Sequence, residues 1–208
     1  MIVGLTGSHR VGKSTLARMY AEKHKLDFLE TSASAIFREM GFDPAITYDF
    51  DTRLTIQEEI LRQFDKQYAS HSGSNAAITD RTPLDMLAYT LGDVSGETLN
   101  EANEVRLCNY VQDCFTSLNK WFSVLLVVQP GIALIPADGK ASLSVGYIEH
   151  LNSIILGLCV DEKSCVPHYY IPRHMRDNGE RLAALEYSVN RVRVKAMGDR
   201  DRCGATLH

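Results

Sequence analysis

The sequence predicts a three-layer α/β fold, a parallel five-stranded sheet flanked by helices, and three observations carry that prediction. Strand-sized and helix-sized apolar patterns alternate along the chain, as expected where parallel strands are joined by crossover helices. The first strand-like run opens into a glycine-containing turn, Gly7-Ser8-His9-Arg10-Val11-Gly12-Lys13-Ser14, and then a helix. A later buried-type run, Ala76–Thr79, ends on an acidic residue, Asp80.

Taken in order, Ile2–Thr6 is a short apolar strand, and Val11–His24 is a helix with Leu16, Met19 and Tyr20 on one face. Leu26–Leu29 is a second strand ending at Glu30, and Ser32–Met40 a short helix stopped by Gly41. Asp51–Tyr68 has the clearest helical period, with Ile60, Leu61, Phe64 and Tyr68 at steps of three and four and Asp51 or Thr52 to cap it. After Ala76–Thr79, Pro83 suits the first turn of another helix. Glu101–Leu118 is amphipathic, Ser123–Val128 is the strongest strand, and Gly131–Ser144 carries the turn formers Pro136, Asp138 and Gly139. Val145–Val160 is helical, Val166–Ile171 is a last strand closed by Pro172, and Leu182–Val194 is a final helix. No repeat, low-complexity tract or long linker interrupts this order, so the 208 residues read as one domain over 1–208 with a lid-like loop at about 130–144.

Composition narrows the class. With 45% hydrophobic and 23% charged residues the chain has the balance of a folded globular protein. Five cysteines, Cys108, Cys114, Cys159, Cys165 and Cys203, include no C-x-x-C pair and are expected to be reduced and mostly buried, which argues against a zinc site or a disulfide framework. The start, MIVGLTGSHR, lacks the pattern of a signal peptide, and the longest apolar run, Val124–Val128, falls far short of a membrane span. Net charge is −4, yet from Arg173 onward eight Lys/Arg stand against five Asp/Glu. That surplus suits either a solvated helix face or contact with phosphates or nucleic acid.

Residues 7–14 satisfy G-x-x-x-x-G-K-[ST] with a strand before and a helix after, the pattern of a P-loop. Gly7 and Gly12 permit a turn that side chains would block, so that loop N–H groups face a phosphate. The helix beginning near Lys13 adds its partial positive end. Lys13 can reach the β- and γ-phosphates, and the Ser14 hydroxyl offers the oxygen that Mg²⁺ prefers. Ser8, His9, Arg10, Val11 and Thr15 complete the cofactor-binding segment, with His9 expected to be exposed. The motif implies ATP with Mg²⁺ and leaves the reaction open among ATPases, GTPases and kinases. A base-reading N-K-x-D is missing: Asn119-Lys120 is followed by Phe122 where aspartate is needed.

Asp80 ends a strand expected beside the P-loop, where it can hold Mg²⁺ or accept a proton from the acceptor. Arg81 can clamp a phosphoryl group in transit.

These two stretches together, Gly7–Thr15 and Thr79-Asp80-Arg81-Thr82-Pro83-Leu84-Asp85-Met86-Leu87-Ala88-Tyr89, resemble small P-loop kinases of the ribosylnicotinamide kinase and phage nucleotide kinase type, relatives of the deoxynucleoside kinases. The resemblance implies an ATP-dependent phosphotransferase working by in-line transfer to a nucleoside-type hydroxyl. It implies a general base at Glu30, an alternative to Asp80, and a base-reading amide at Gln57. Arg38 and Arg53 could face an acidic acceptor. Pro136–Lys140 is similar to the lid, with Lys140 where relatives carry arginine; lysine keeps the charge and loses the bidentate fork. Arg173 and Arg176 are alternative clamps. Some phage kinases of this type phosphorylate 5-hydroxymethyluracil in DNA during thymidine hypermodification. That makes 5-hydroxymethyluracil in duplex DNA the leading expected acceptor, with a free deoxynucleoside or nucleoside monophosphate as the alternative and a non-kinase P-loop NTPase as a third reading. The expected location is cytoplasmic, in a host cell if the chain is phage-encoded, with no membrane contact.

Overall fold

The computed structural model describes residues 1–43, 46–71, 76–94, 98–133 and 144–204, with side chains as far as residue 195. Its five strands are β1 (Ile2–Thr6), β2 (Asp27–Leu29), β3 (Ala77–Thr79), β4 (Phe122–Val128) and β5 (His168–Ile171). They pair in the order β2-β3-β1-β4-β5, every neighbour parallel. All five residues of β1 are buried, as expected of a strand at the centre of a sheet covered on both faces.

The helices divide between those faces. On one lie α1 (Lys13–His24) and α7 (Asn178–Gly204), packed on Val3, Leu5, Val124, Leu126 and Val128. On the other lie α2 (Ala33–Glu39), α3 (Phe50–Ser70), α4 (Pro83–Val94), α5 (Glu101–Trp121) and α6 (Val145–Val160), packed on Ile2, Ala77, Phe122, Leu125 and Val127. From Val124 to Val128 alternate residues of β4 therefore serve opposite cores, the period-two rule of a strand, while a register shift opposite Ile2 and Val3 puts Phe122 in the same core as Leu125 and Val127. In α4, Leu84, Met86, Leu87 and Ala88 are all buried, because α3, α5 and α6 surround it. α5 passes into β4 with no intervening loop, Trp121 ending the helix and Phe122 opening the strand.

The element order agrees with the sequence reading, and the differences have local causes. Asp49, rather than Asp51 or Thr52, caps α3, accepting from the Thr52 N–H at 2.8 Å. β5 begins after Pro167, which has no N–H to give the ladder and contributes its carbonyl to the Leu125 N–H instead. α7 starts four residues before Leu182, because the Asp177 carboxylate caps the N–H groups of Gly179 and Glu180 at 2.8 and 3.1 Å. Of the four thiols among the described side chains, Cys114 and Cys159 are buried, but Cys108 and Cys165 are exposed, one on the outer face of α5 and one in the turn before β5. Most of the lid-like loop, including Pro136 and Lys140, lies outside the described residues. Among the described residues no helix is long and apolar enough to cross a membrane.

Candidate active site

The C-terminal ends of β1 and β3 lie side by side, and the turns that leave these two strands form the site. After β1 the chain makes the loop 7–12. A Cβ on Gly7 would collide with the Val128 carbonyl oxygen of β4, so the loop can approach the sheet this closely only without a side chain. Gly12 has φ 85° and Arg10 φ 65°, both left-handed. For Arg10 that conformation is strained, a feature that clusters at ligand sites. α1 then begins with no side-chain cap and no acidic residue in its first turn. Its N–H groups and its dipole are thus left to an anion in the loop.

Lys13 folds back over this loop. Its ammonium donates to the carbonyls of Gly7 and Ser8, the latter at 2.9 Å, and stands 3.4 Å from Asp85 Oδ1. Burial lowers its pKa, Asp85 opposes that shift, and nearby Arg81 adds to it. Ser14 and Thr15 face solvent at the start of α1, while the Ser8 hydroxyl is buried without a partner among the described residues.

After β3 comes Asp80, 7% exposed. One carboxylate oxygen accepts from the Ser14 hydroxyl, and the other accepts from the Thr31 hydroxyl at 3.3 Å. Two hard oxygen donors, one from the start of α1 and one from the end of β3, therefore converge. They suit Mg²⁺, which binds through one or two protein oxygens and completes its shell with phosphate and water. Arg81 lies over the Tyr89 ring at 5.9 Å. Burial opposes its charge, but Tyr89, Asp85 and Asp80 together raise its pKa, so it stays a cation.

Asp85 emerges as a functional residue that the sequence reading left without a role. It is fully buried; Oδ1 accepts the Gly7 N–H at 3.1 Å, and Oδ2 accepts the Thr82 N–H and hydroxyl at 2.8 and 2.9 Å. One carboxylate ties the turn after β3 to the first glycine of the loop. The signal was there: Thr82-Pro83-Leu84-Asp85 has the spacing of a capping box.

His9 is 7% exposed, contrary to the expectation of an exposed side chain. Tyr89 of α4 and Tyr147 of α6 enclose it, with ring centroids 6.4 and 5.7 Å away, and the Tyr89 hydroxyl lies 3.3 Å from its Nδ1. The other expected residues scatter. Gln57 on α3 is partly buried, and its Oε1 accepts no hydrogen bond among the described residues. Arg53, one turn earlier, reaches Asp93 at 3.7 Å. Glu30 is exposed and 3.5 Å from Arg18; it is the next residue, Thr31, that touches Asp80. Arg38 and Arg176 are exposed. Arg173 is held by Glu149 of α6 through contacts of 2.5 and 2.6 Å. Beside the loop's outer shoulder lies a cavity of about 310 Å³ lined by Arg10, Val11, Ile132, Ile148 and Glu149.

A parallel sheet in this order, with a P-loop after β1 and an Asp-Arg pair after the neighbouring strand, is the fold of P-loop nucleoside and nucleotide kinases. A deoxyadenosine kinase from M. mycoides with dCMP and a flexible dCDP bound has that architecture, with a TM-score of 0.66 at 14% identity over 91% of this chain and 99% of that one. The thymidylate kinase of Candida albicans gives 0.60 at 13% over 92% of both chains. NadR in complex with NR gives 0.61 at 13%, with 90% of this chain matching 50% of NadR. At the level of sequence, the profile of the AAA_28 family, described as an AAA domain, matches residues 2–122, and the chain belongs to that family. No curated protein matches the sequence.

Proposed function

We propose that this chain is an ATP-dependent kinase that transfers the γ-phosphoryl group, with Mg²⁺, to a hydroxyl of a small nucleoside-type acceptor. The observation that carries the reading is the meeting of Ser14 and Asp80 directly beside Lys13. The loop N–H groups and Lys13 hold the β- and γ-phosphates. Ser14 and Asp80 hold Mg²⁺, which when bound neutralises charge developing on the transferred group. Arg81, fixed as a cation against Tyr89, neutralises the remainder from the acceptor side. Asp80 is engaged by Ser14 and Thr31, so its role is metal holding; the acceptor proton then falls to Glu30 at the end of β2 or to solvent. The Gln57 side chain, whose Oε1 accepts no hydrogen bond among the described residues, is suited to a nucleobase edge, and the structures that share this fold include nucleoside and nucleotide kinases.

A second reading, 5-hydroxymethyluracil within duplex DNA, rests on the resemblance to phage kinases and on the basic surplus after Arg173. The placement of that surplus favours the small acceptor. Arg173 is paired with Glu149, and Arg181 is buried. Arg191, Arg193 and Lys195 lie roughly 15–20 Å further along α7, on the sheet face opposite α3, α4 and α6.

An acceptor screen with γ-labelled ATP tests both. Salt-insensitive labelling of a free nucleoside or monophosphate supports the proposal. Labelling of hydroxymethyluracil DNA alone, falling as salt rises, hands the case to the second reading. ATP hydrolysis with no labelled acceptor would remove the kinase reading.

A further inference from the structure

The peptide joining Val11 to Gly12 is gripped from behind. The Val11 carbonyl accepts from Arg181 Nη2 at 2.5 Å, across 170 residues of sequence. Arg181 stands one turn into α7 and is 2% exposed; its Nε is also buried and finds no acceptor among the described residues. Burial depresses its pKa, and no described carboxylate pairs with it. A buried cation with no anion beside it is costly to fold. Lys13, the other buried cation on this loop, has Asp85 as its counter-charge.

The grip has a direction. Peptides in the described chain are trans, so the C=O and N–H of one unit point opposite ways. With the Val11 carbonyl turned to Arg181 on the α7 side, the Gly12 N–H faces away from α7. A cation on the carbonyl also polarises the peptide and strengthens its N–H as a donor. Gly12 itself leaves room for this contact, because a Cβ there would stand 2.8 Å from Arg181 Nη1.

We infer that Arg181 is a positioning residue of the nucleotide site: it aims the Gly12 N–H at the phosphates, whose negative charge balances the buried guanidinium. The inference rests on the reading of the loop as an ATP site.

Two variants test it, Arg181→Met, which keeps the volume and removes the charge, and Arg181→Lys, which keeps the charge and loses the fork. Calorimetric ATP titration, well below the melting point, is the deciding measurement. In the Met variant the loss of a buried charge without an anion favours folding and the loss of the donor to the Val11 carbonyl opposes it, so its melting point without nucleotide serves only to confirm that the variant is folded. Its Kd for ATP should rise by about tenfold, with the Lys variant in between, as expected for loss of a charged hydrogen bond. KM for ATP should rise in parallel while KM for the acceptor stays put. A folded Met variant whose Kd for ATP rises less than about threefold overturns the inference, whatever its melting temperature, since a lost charged bond gives more. If the Met variant does not fold, the same limit applied to the Lys variant decides. A wild-type chain that binds no ATP removes the ATP reading and this inference together; a wild type that binds, beside a Met variant that binds equally well, removes the inference alone.

Discussion

In the proposed kinase site, the half assigned to the nucleotide and the half assigned to the acceptor are built from different materials. On the nucleotide side the backbone does the holding, and side chains secure it: Asp85 takes the Gly7 N–H and both donors of Thr82, and Lys13 closes over two loop carbonyls. Elsewhere side chains from distant elements meet: Tyr89 of α4 and Tyr147 of α6 enclose His9 of the loop, and on α3 the Gln57 Oε1 accepts no hydrogen bond among the described residues. The first half is fixed by local geometry and can serve any nucleoside triphosphate. The second is fixed by which helices meet, and on the proposed reading acceptor specificity would reside there.

The sharpest way to break this contrast is Lys13→Ala. Phosphoryl transfer should fall by at least about a hundredfold, the scale of losing one charge-stabilising donor. The circular dichroism spectrum should be unchanged, because Asp85 keeps three backbone and hydroxyl donors without Lys13. Near-normal turnover would contradict the nucleotide reading of the loop.

Asp80→Asn should lower kcat by about a hundredfold while ATP affinity changes little, since a metal-holding carboxylate acts mainly in the transition state. A shift in ATP affinity alone would show that Asp80 serves ground-state binding. A shift in melting temperature alone would make it structural.

Asp85→Ala addresses the fastening itself. It removes the acceptor for three hydrogen bonds and leaves Lys13 without its counter-charge, so unfolding free energy should drop by about 3 kcal/mol, as for a broken buried pair. Chemical denaturation reads this directly; a loss under about 1 kcal/mol, the level of an exposed pair, would mean that the loop holds its shape without α4.

The mildest change lies on the other half. Gln57→Leu should raise KM for the acceptor by about tenfold, the scale of a polar contact that reads a substrate, and leave KM for ATP unchanged. Equal effects on both constants would dissolve the division into halves.

The same division explains what the sequence disclosed. The loop, the strand ends and Asp80 were legible because each depends on near neighbours: a strand, a glycine pair, a lysine and a hydroxyl at fixed spacing. Asp85 was visible in principle, since its partner Thr82 is three residues away. His9 was misjudged because Tyr89 and Tyr147 arrive from helices 80 and 138 positions further on. Arg181 carries no local mark at all; its contact depends on how α7 lies along α1, which nothing in its own segment announces. Arg173 illustrates the converse, a residue correctly placed near the end of β5 but engaged by Glu149.

The direct passage from α5 into β4 has a consequence for how the gene can vary. With no loop between Trp121 and Phe122, and with a register shift already present at the start of β4, a further one-residue insertion or deletion there would have to be taken up within the strand. Because strand side chains alternate with period two, a slip would exchange Leu125 and Val127 with Leu126 and Val128 between the two cores. Both cores are apolar, so the sheet itself could tolerate the exchange. The carbonyl of Val128, however, forms the wall against which Gly7 is packed, and moving it by one residue would disturb the loop after β1 from the far end of β4. Length changes at this junction are therefore expected to impair nucleotide binding in addition to any effect on stability.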